Sequence, residues 1–321
     1  MTGEPGKKIK LLALVGPTAA GKSALAIQVA QRLGGEIVTA DSAQIYRYLD
    51  IGTAKPTQKE RRLVPHHLVD LVEPDQYFSV ADYQGAAYRE IKKIASAGRL
   101  PLLVGGTGLY INAVIDRYAF LAGGKNERLR RRLRDEAEQK GLPHLYRRLE
   151  GVDPRAAAKI HPHDQRRIIR ALEVYLQEGR PISEQEEATR RRKPIFDLVI
   201  YGLTLPRPQL YERIHRRLQS MLEAGFLEEV RQVLARGFPP RCRGLQSLGY
   251  RQLVQYLTGG SDKEWEATVD NIRRDTRRLA KRQLTWFRRD PRIRWLEYEE
   301  GEGPTVFAET ISSRVKEILS L

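Results

Sequence analysis

Leu11-Leu12-Ala13-Leu14-Val15-Gly16-Pro17-Thr18-Ala19-Ala20-Gly21-Lys22-Ser23 decides the fold of this 321-residue chain. Five apolar residues run into a complete G-x-x-x-x-G-K-[ST] loop, and residues 24–33 continue with helical character. A strand feeding a Gly-rich turn that opens a helix aims successive backbone N–H groups and a helix N-terminus at one point. Gly16, Pro17, Thr18, Ala19, Ala20 and Gly21 supply that cradle. Lys22 adds a mobile positive charge, and Ser23 offers a hydroxyl to Mg²⁺. The loop is expected to bind a polyphosphate, and by itself it leaves open whether that compound is ATP.

Outward from the loop, strand-like runs at 11–15, 36–40 and 101–104 alternate with helical segments at 23–33 and 82–97. That order implies a parallel sheet. From about residue 120 the pattern changes. Segments 127–139, 142–149, 154–160, 164–179 and 182–190 read as short, charged helices with no strand between them. Strand character returns at 196–203 and helices resume at 208–224 and 227–236. Residues 265–289 read as one long basic helix that Pro291 ends. The expected fold is α/β: a P-loop NTPase-like parallel-sheet core with an inserted all-helical domain. The insertion is placed at 120–195, between core segments 1–119 and 196–321.

The composition, 41% hydrophobic and 30% charged, is that of a soluble globular protein. No apolar run approaches the ~20 residues of a membrane span, and the polar first ten residues hold no signal-peptide core. A cytoplasmic location without membrane attachment is expected. The single cysteine, Cys242, excludes an internal disulfide and a multi-cysteine zinc site. His161-Pro162-His163-Asp164 is better read as a capped loop before a helix than as a metal site, because Pro162 interrupts any shared helical face. The net charge of +16 points to a polyanionic partner. Residues 117–196 hold 20 basic and 12 acidic side chains, and residues 273–294 hold ten basic and two acidic, with Trp286 and Phe287 among them. Two basic runs in a phosphate-binding protein favour RNA or DNA, since neutralised phosphates release counterions.

Asp41-Ser42-Ala43-Gln44-Ile45-Tyr46 follows the second strand and puts a carboxylate at the sheet edge that bears the phosphate loop. Asp41 is well placed to act as a base; the plainer reading is a turn cap. The third strand runs into Gly105-Gly106-Thr107-Gly108-Leu109-Tyr110, in place of the acidic residue that closes a typical Walker B strand. Kinases and ATPases usually hold Mg²⁺ through such an Asp, and the remaining candidate, Asp70, sits in a short Leu68-Val69-Asp70 run. The loop is therefore expected to serve a leaving group in place of a transferred γ-phosphoryl. Thr107 is a candidate for positioning a substrate amine or phosphate.

Together the residues resemble one family. The phosphate loop, Asp41 to Tyr46, Asp50-Ile51-Gly52-Thr53-Ala54-Lys55-Pro56, Pro65-His66-His67-Leu68-Val69-Asp70 and Val104 to Tyr110 closely resemble the bacterial tRNA dimethylallyltransferases, also called tRNA isopentenyltransferases. The likeness continues in order through Asp164 to Val174, Leu210 to Gly225, Gln246 to Arg251 and Ala280-Lys281-Arg282-Gln283-Leu284-Thr285-Trp286-Phe287. It covers about residues 10–298. The bare phosphate loop is widespread, whereas Asp-Ser-Ala-Gln-Ile-Tyr together with Ile-Gly-Thr-Ala-Lys-Pro is far more specific.

The resemblance implies that the loop holds the pyrophosphate of dimethylallyl diphosphate, assisted by Mg²⁺ on Ser23, with Arg217 stabilising the leaving group. It implies Asp41 as general base toward the N6 amine of an adenosine next to the anticodon, and Thr107 as the group that orients that amine. The implied partner is the tRNA anticodon stem-loop, from which the base must leave the stack; no obligate protein partner is evident. Family positions that touch tRNA fall on Asp41, Ser42, Ala43, Gln44, Thr107 and Arg130, on Arg166, Arg167, Ile168, Ile169 and Arg170, and on Gln246, Ser247, Leu248, Gly249, Tyr250 and Arg251. The helical insertion would close over the anticodon loop. Where some relatives carry a cysteine between Gln246 and Arg251, this chain has none. Competing readings are an isopentenyltransferase acting on free AMP or ADP, an ATP-dependent kinase, and a noncatalytic RNA-binding P-loop protein.

Overall fold

The structure is a computed structural model and describes residues 8–120, 126–190, 192–259, 264–298 and 303–321. Two compact units emerge. One comprises Met1–Ile115 with Ile195–Leu321, and the other Asp116–Pro194. The boundaries expected from the sequence are 119/120 and 195/196, and the units divide at 115/116 and 194/195.

The first unit is built on β1 (Ile9–Val15), α1 (Lys22–Leu33), β2 (Gly35–Ala40), α2 (Gln58–Leu63), β3 (His66–His67), α3 (Val80–Ser96), β4 (Leu100–Gly105) and α4 (Gly108–Ile115). Its strands form part of a six-stranded, wholly parallel sheet in the order β3-β2-β4-β1-β5-β6. A parallel sheet is covered on both faces, so its strands read as continuous apolar runs. In β1 the alternation still sorts the side chains. Leu12 and Leu14 enter a core with Leu25 and Val29 of α1, while Leu11, Ala13 and Val15 enter the opposite core with Tyr83 and Ile91 of α3.

The second unit contains α5 (Glu127–Lys140), α6 (Leu142–Val152), α7 (Pro154–Ala157), α8 (Gln165–Glu178) and α9 (Ile182–Arg190). It has its own apolar core, with Leu133, Leu145, Leu149, Ile168 and Leu172 at its centre. Glu173 of α8 is fully buried and accepts hydrogen bonds from the Asn126 N–H, from Arg130 at 2.9 and 2.8 Å, and from Arg170 at 2.7 Å. Burial pushes its pKa upward, but the hydrogen bonds from Arg130 and Arg170 hold it below the ordinary glutamate value. Asp164 caps α8 by accepting from the Arg167 N–H at 3.1 Å, as the capped-loop reading of 161–164 expects.

The chain then returns to the first unit with β5 (Phe196–Thr204), α10 (Arg207–Glu223), α11 (Phe226–Ala235), α12 (Tyr250–Thr258), α13 (Trp265–Phe287), β6 (Ile293–Glu297) and α14 (Phe307–Leu319). Helices α10 to α13 share a third apolar cluster with Ile45 and Leu49, fastening the segment after β2 to the C-terminal helices. Among the described residues, no helix is long and apolar enough to cross a membrane.

Candidate active site

Three neighbouring strand ends make the site. In the register, Val15 of β1 and Ala40 of β2 both align with Gly105 of β4, which lies between them. Gly16, Gly106 and Asp41 therefore begin three turns at one level of the sheet, on strands about 4.8 Å apart. Ligands bind at this edge of open parallel sheets because the turns there diverge and leave a crevice. A cavity of about 1000 Å³ occupies the position, lined by Lys22, Ser23, Asp41, Gln44, Arg217 and Gln283 among others.

The phosphate loop is ready for an anion. Gly16 has φ 139°, and a Cβ there would meet the Leu203 carbonyl oxygen at 2.3 Å, so the strand can turn at this point only with glycine. The α1 N-terminus has no side-chain cap, which leaves its first N–H groups to a ligand. Lys22 folds back and donates from Nζ to the Pro17 carbonyl at 2.6 Å. Burial, reinforced by Arg217 and opposed by Asp41, brings the Lys22 pKa down to about 7. Arg217, on α10, is itself lowered by burial and raised by Asp41. Two cations and one carboxylate thus act on one another within the cavity, although they come from α1, α10 and the end of β2.

Asp41 holds the turn and keeps capacity for chemistry. Its Oδ1 accepts from the Ala43 N–H at 2.8 Å, so the turn-cap reading is correct as far as it goes. Its other oxygen has no donor among the described residues and remains available to a proton. Thr107 sits beside it. The Thr107 hydroxyl accepts from the Ser42 N–H at 3.0 Å and donates to Ser42 Oγ at 3.3 Å, and the Thr107 N–H donates to the Ala40 carbonyl at 3.2 Å. Gln44 donates to the carbonyls of Thr53 and Ala54, both at 3.1 Å.

Asp70 reaches the same cavity but is already committed. Lys55 lies at 2.5 Å and Arg61 at 2.9 Å from its two oxygens. Burial raises its pKa, and the hydrogen bonds from these two cations outweigh that effect and lower it. Lys55 also holds Asp50 at 2.6 Å and the Tyr46 carbonyl at 2.7 Å. Among the described residues no cluster of three or more His, Cys, Asp or Glu side chains could hold a metal.

Other residues named from the sequence fall in different environments. Arg166 and Arg167 are exposed, whereas Ile168 and Ile169 lie in the insertion core, so those two side chains support the helix from inside. Arg130 and Arg170 are bonded to Glu173. Gln246 and Arg251 are exposed, Ser247 and Leu248 partly so; Gly249 and Tyr250 are buried. The Tyr250 hydroxyl donates to Glu229 at 2.5 Å. That carboxylate also accepts from the N–H groups of Asp50, Ile51 and Gly52 at 2.9, 2.7 and 3.3 Å, anchoring the cavity wall to α11. Glu229 escaped the sequence reading because a helical glutamate usually faces solvent, and only the fold brings a three-amide loop onto it.

A phosphate cradle beside a carboxylate and a hydroxyl, at the edge of a doubly covered parallel sheet, defines a P-loop-type group-transfer enzyme. More specifically, the chain belongs to the IPP transferase family, whose model matches residues 44–290. It is 49% identical over 310 residues to a tRNA dimethylallyltransferase of Symbiobacterium thermophilum, covering 97% of this chain and 96% of that one. It is 51% identical over 292 residues to the enzyme of that name from Carboxydothermus hydrogenoformans, covering 90% and 92%. Among solved structures, a full-length tRNA isopentenylpyrophosphate transferase from Bacillus halodurans superposes with TM-score 0.70 at 40% identity, over 98% of this chain and 99% of that one. A eukaryotic dimethylallyltransferase acting on tRNA superposes with TM-score 0.81 at 28% identity, over 97% and 80%.

Proposed function

We propose that this protein transfers the dimethylallyl group of dimethylallyl diphosphate to the N6 amine of the adenosine next to the anticodon, position 37 of tRNA, releasing pyrophosphate. The observation that carries this reading is the convergence of an anion cradle and Asp41 on one cavity, with Thr107 on the adjoining turn, while the other acids lining that cavity are engaged: Asp50 by Lys55, Asp70 by Lys55 and Arg61, and Glu60 in capping α2. A kinase would need a carboxylate free for metal-bound ATP.

In the reaction the bond between C1 of the allyl group and the bridging oxygen breaks, and its electron pair leaves with pyrophosphate. The loop amides, Lys22 and Arg217 stabilise the charge that accumulates there. The N6 lone pair, weakened by delocalisation into the ring, forms the new bond to C1 as Asp41 takes the N6 proton. Thr107, bonded to Ser42 next to Asp41, orients the amine. Water is kept from the allylic carbon by the cavity wall, to which Ile51 and Met221 contribute.

Mg²⁺ fits this donor set in one way. Ser23 is an exposed hydroxyl at the start of α1, and the remaining ligands would be diphosphate oxygens and water, as is usual for this ion. When bound it would neutralise diphosphate charge. The test is a matrix of donors and acceptors: labelled dimethylallyl diphosphate or [γ-³²P]ATP, each with tRNA or AMP. Label passing from the allylic diphosphate to tRNA is expected. Label on AMP alone would favour the free-nucleotide enzyme, and ³²P on either acceptor would favour a kinase.

A further inference from the structure

We propose that Gln283 of α13 is a positioning residue that ties the phosphate cradle to the turn bearing Thr107, so that donor and acceptor are held at one separation. This inference rests on the transfer reaction above. Gln283 Oε1 accepts from the Thr18 N–H of the phosphate loop at 2.8 Å, and Gln283 Nε2 donates to the Gly106 carbonyl at 3.0 Å. The two partners fix the amide orientation, because an N–H needs an acceptor and a carbonyl needs a donor. A primary amide presents both groups side by side on one planar, uncharged group at neutral pH.

The bridge joins two ends that no strand pairing holds beyond Val15 and Gly105. From Gly106 the path continues through the next peptide to Thr107, from the Thr107 hydroxyl to Ser42, and so to Asp41. Gly106 is shaped around this contact, since a Cβ there would lie 2.4 Å from Gln283 Nε2. Trp286, one turn further along α13, donates from Nε1 to Asn112 of α4 at 3.2 Å and braces the helix against the same turn. Small displacements between reacting groups are costly in rate, so a side chain that sets this spacing acts on kcat rather than on tRNA binding.

Two variants separate this role from simple stabilisation. Gln283→Leu removes both hydrogen bonds at similar size. In Gln283→Glu the ionised carboxylate still accepts from Thr18 but repels the Gly106 carbonyl, whereas the protonated acid restores a donor and an acceptor in the same arrangement. Lys22, Asp41 and Arg217, the charged groups lining this end of the cavity, and Lys281 and Arg282 on α13 are common to parent and variant. The ratio of variant to parent kcat, in single-turnover transfer to a saturating anticodon stem-loop, therefore isolates the new carboxyl.

Loss of two ordinary hydrogen bonds corresponds to about 10- to 100-fold in kcat for Gln283→Leu, with KM for the stem-loop changed by less than about threefold. The Gln283→Glu ratio is expected to match the Leu variant at pH 8 and to climb at least about twofold toward the parent by pH 5, as a growing fraction of the carboxyl takes up its proton. A pH-independent ratio, a loss confined to KM, or kcat within twofold of the parent for both variants would overturn the proposal. If the parent itself transferred no prenyl group, the reading of the reaction would have failed and not the bridge.

Discussion

At the residue scale, Asp41 closes a turn and still faces the cavity. One oxygen accepts from the Ala43 N–H, and the second has no donor among the described residues, which suits the base role proposed for it. Asp41→Ala is expected to slow prenyl transfer by about 10²-fold or more while tRNA affinity stays within a few-fold, which single-turnover rates and direct binding will separate. Single-turnover rates close to the parent would leave Asp41 as a turn cap alone. Lys22 makes a second prediction. Its pKa is lowered to about 7 in the free protein, mainly by burial and then by Arg217, and a bound diphosphate raises it again. Pyrophosphate affinity should therefore be full below pH 7 and fall by up to about tenfold per unit as pH rises above it. Calorimetry in buffers of different ionisation enthalpy at pH 8 should show more proton uptake by the parent than by Lys22→Arg, whose side chain stays charged. Equal uptake would mean that Lys22 is already protonated before the ligand arrives. The placement of Asp41 and Lys22 on one cavity was legible in the sequence because loop spacing and strand ends fix both. Gln283 and Glu229 were not, since a neutral amide and a helical glutamate carry no local signal and meet the phosphate-loop and cavity-wall amides across more than a hundred residues.

At the scale of elements, the insertion helices divide their arginines between two environments. Arg130 and Arg170 neutralise Glu173, which has no exposure at all. Arg130→Ala removes a bidentate partner from a buried carboxylate and is expected to destabilise the full chain by about 2–3 kcal/mol in urea unfolding, somewhat below the usual cost because Arg170 remains. Unchanged stability would show that Glu173 is satisfied without it. Arg166 and Arg167, exposed on α8, should cost less than about 0.5 kcal/mol as alanines. If they meet tRNA phosphates, their joint replacement should instead lower affinity and flatten the slope of log K against log salt by up to about two. An unchanged slope would make them a solvated face. The insertion helices were predictable from caps and periodicity, and α7, expected over 154–160, is shorter, ending at Ala157. Strands β3 and β6 were not anticipated. Two residues give β3 no periodicity, and β6 reads Ile293-Arg294-Trp295-Leu296-Glu297 directly after a basic helix, where its charges mask the alternation.

For the whole molecule, the residues gathered at the candidate site come from both sides of the insertion in sequence. Lys22, Asp41 and Thr107 precede it; Arg217 and Gln283 follow it. The parallel sheet makes this possible, because β1 pairs with β4 from the first segment and with β5 from the second, bringing α10 and α13 back to the strand ends that open the cavity. The βαβα order of the first segment and the return of strand character at 196 were enough to see a core interrupted by helices. The choice of Arg217 from so many arginines came from family resemblance, since the burial and the neighbouring Lys22 and Asp41 that distinguish it belong to the folded state. The most direct measurement is made on an unmodified tRNA transcript with adenosine at position 37. It is incubated with the protein, Mg²⁺ and dimethylallyl diphosphate, then digested and sequenced by mass spectrometry. One five-carbon unit should appear on the base of adenosine 37, with one pyrophosphate released per transfer. Modification elsewhere, release of pyrophosphate without a prenylated base, or prenylation of free AMP in preference to the transcript would contradict the assignment of this site to tRNA.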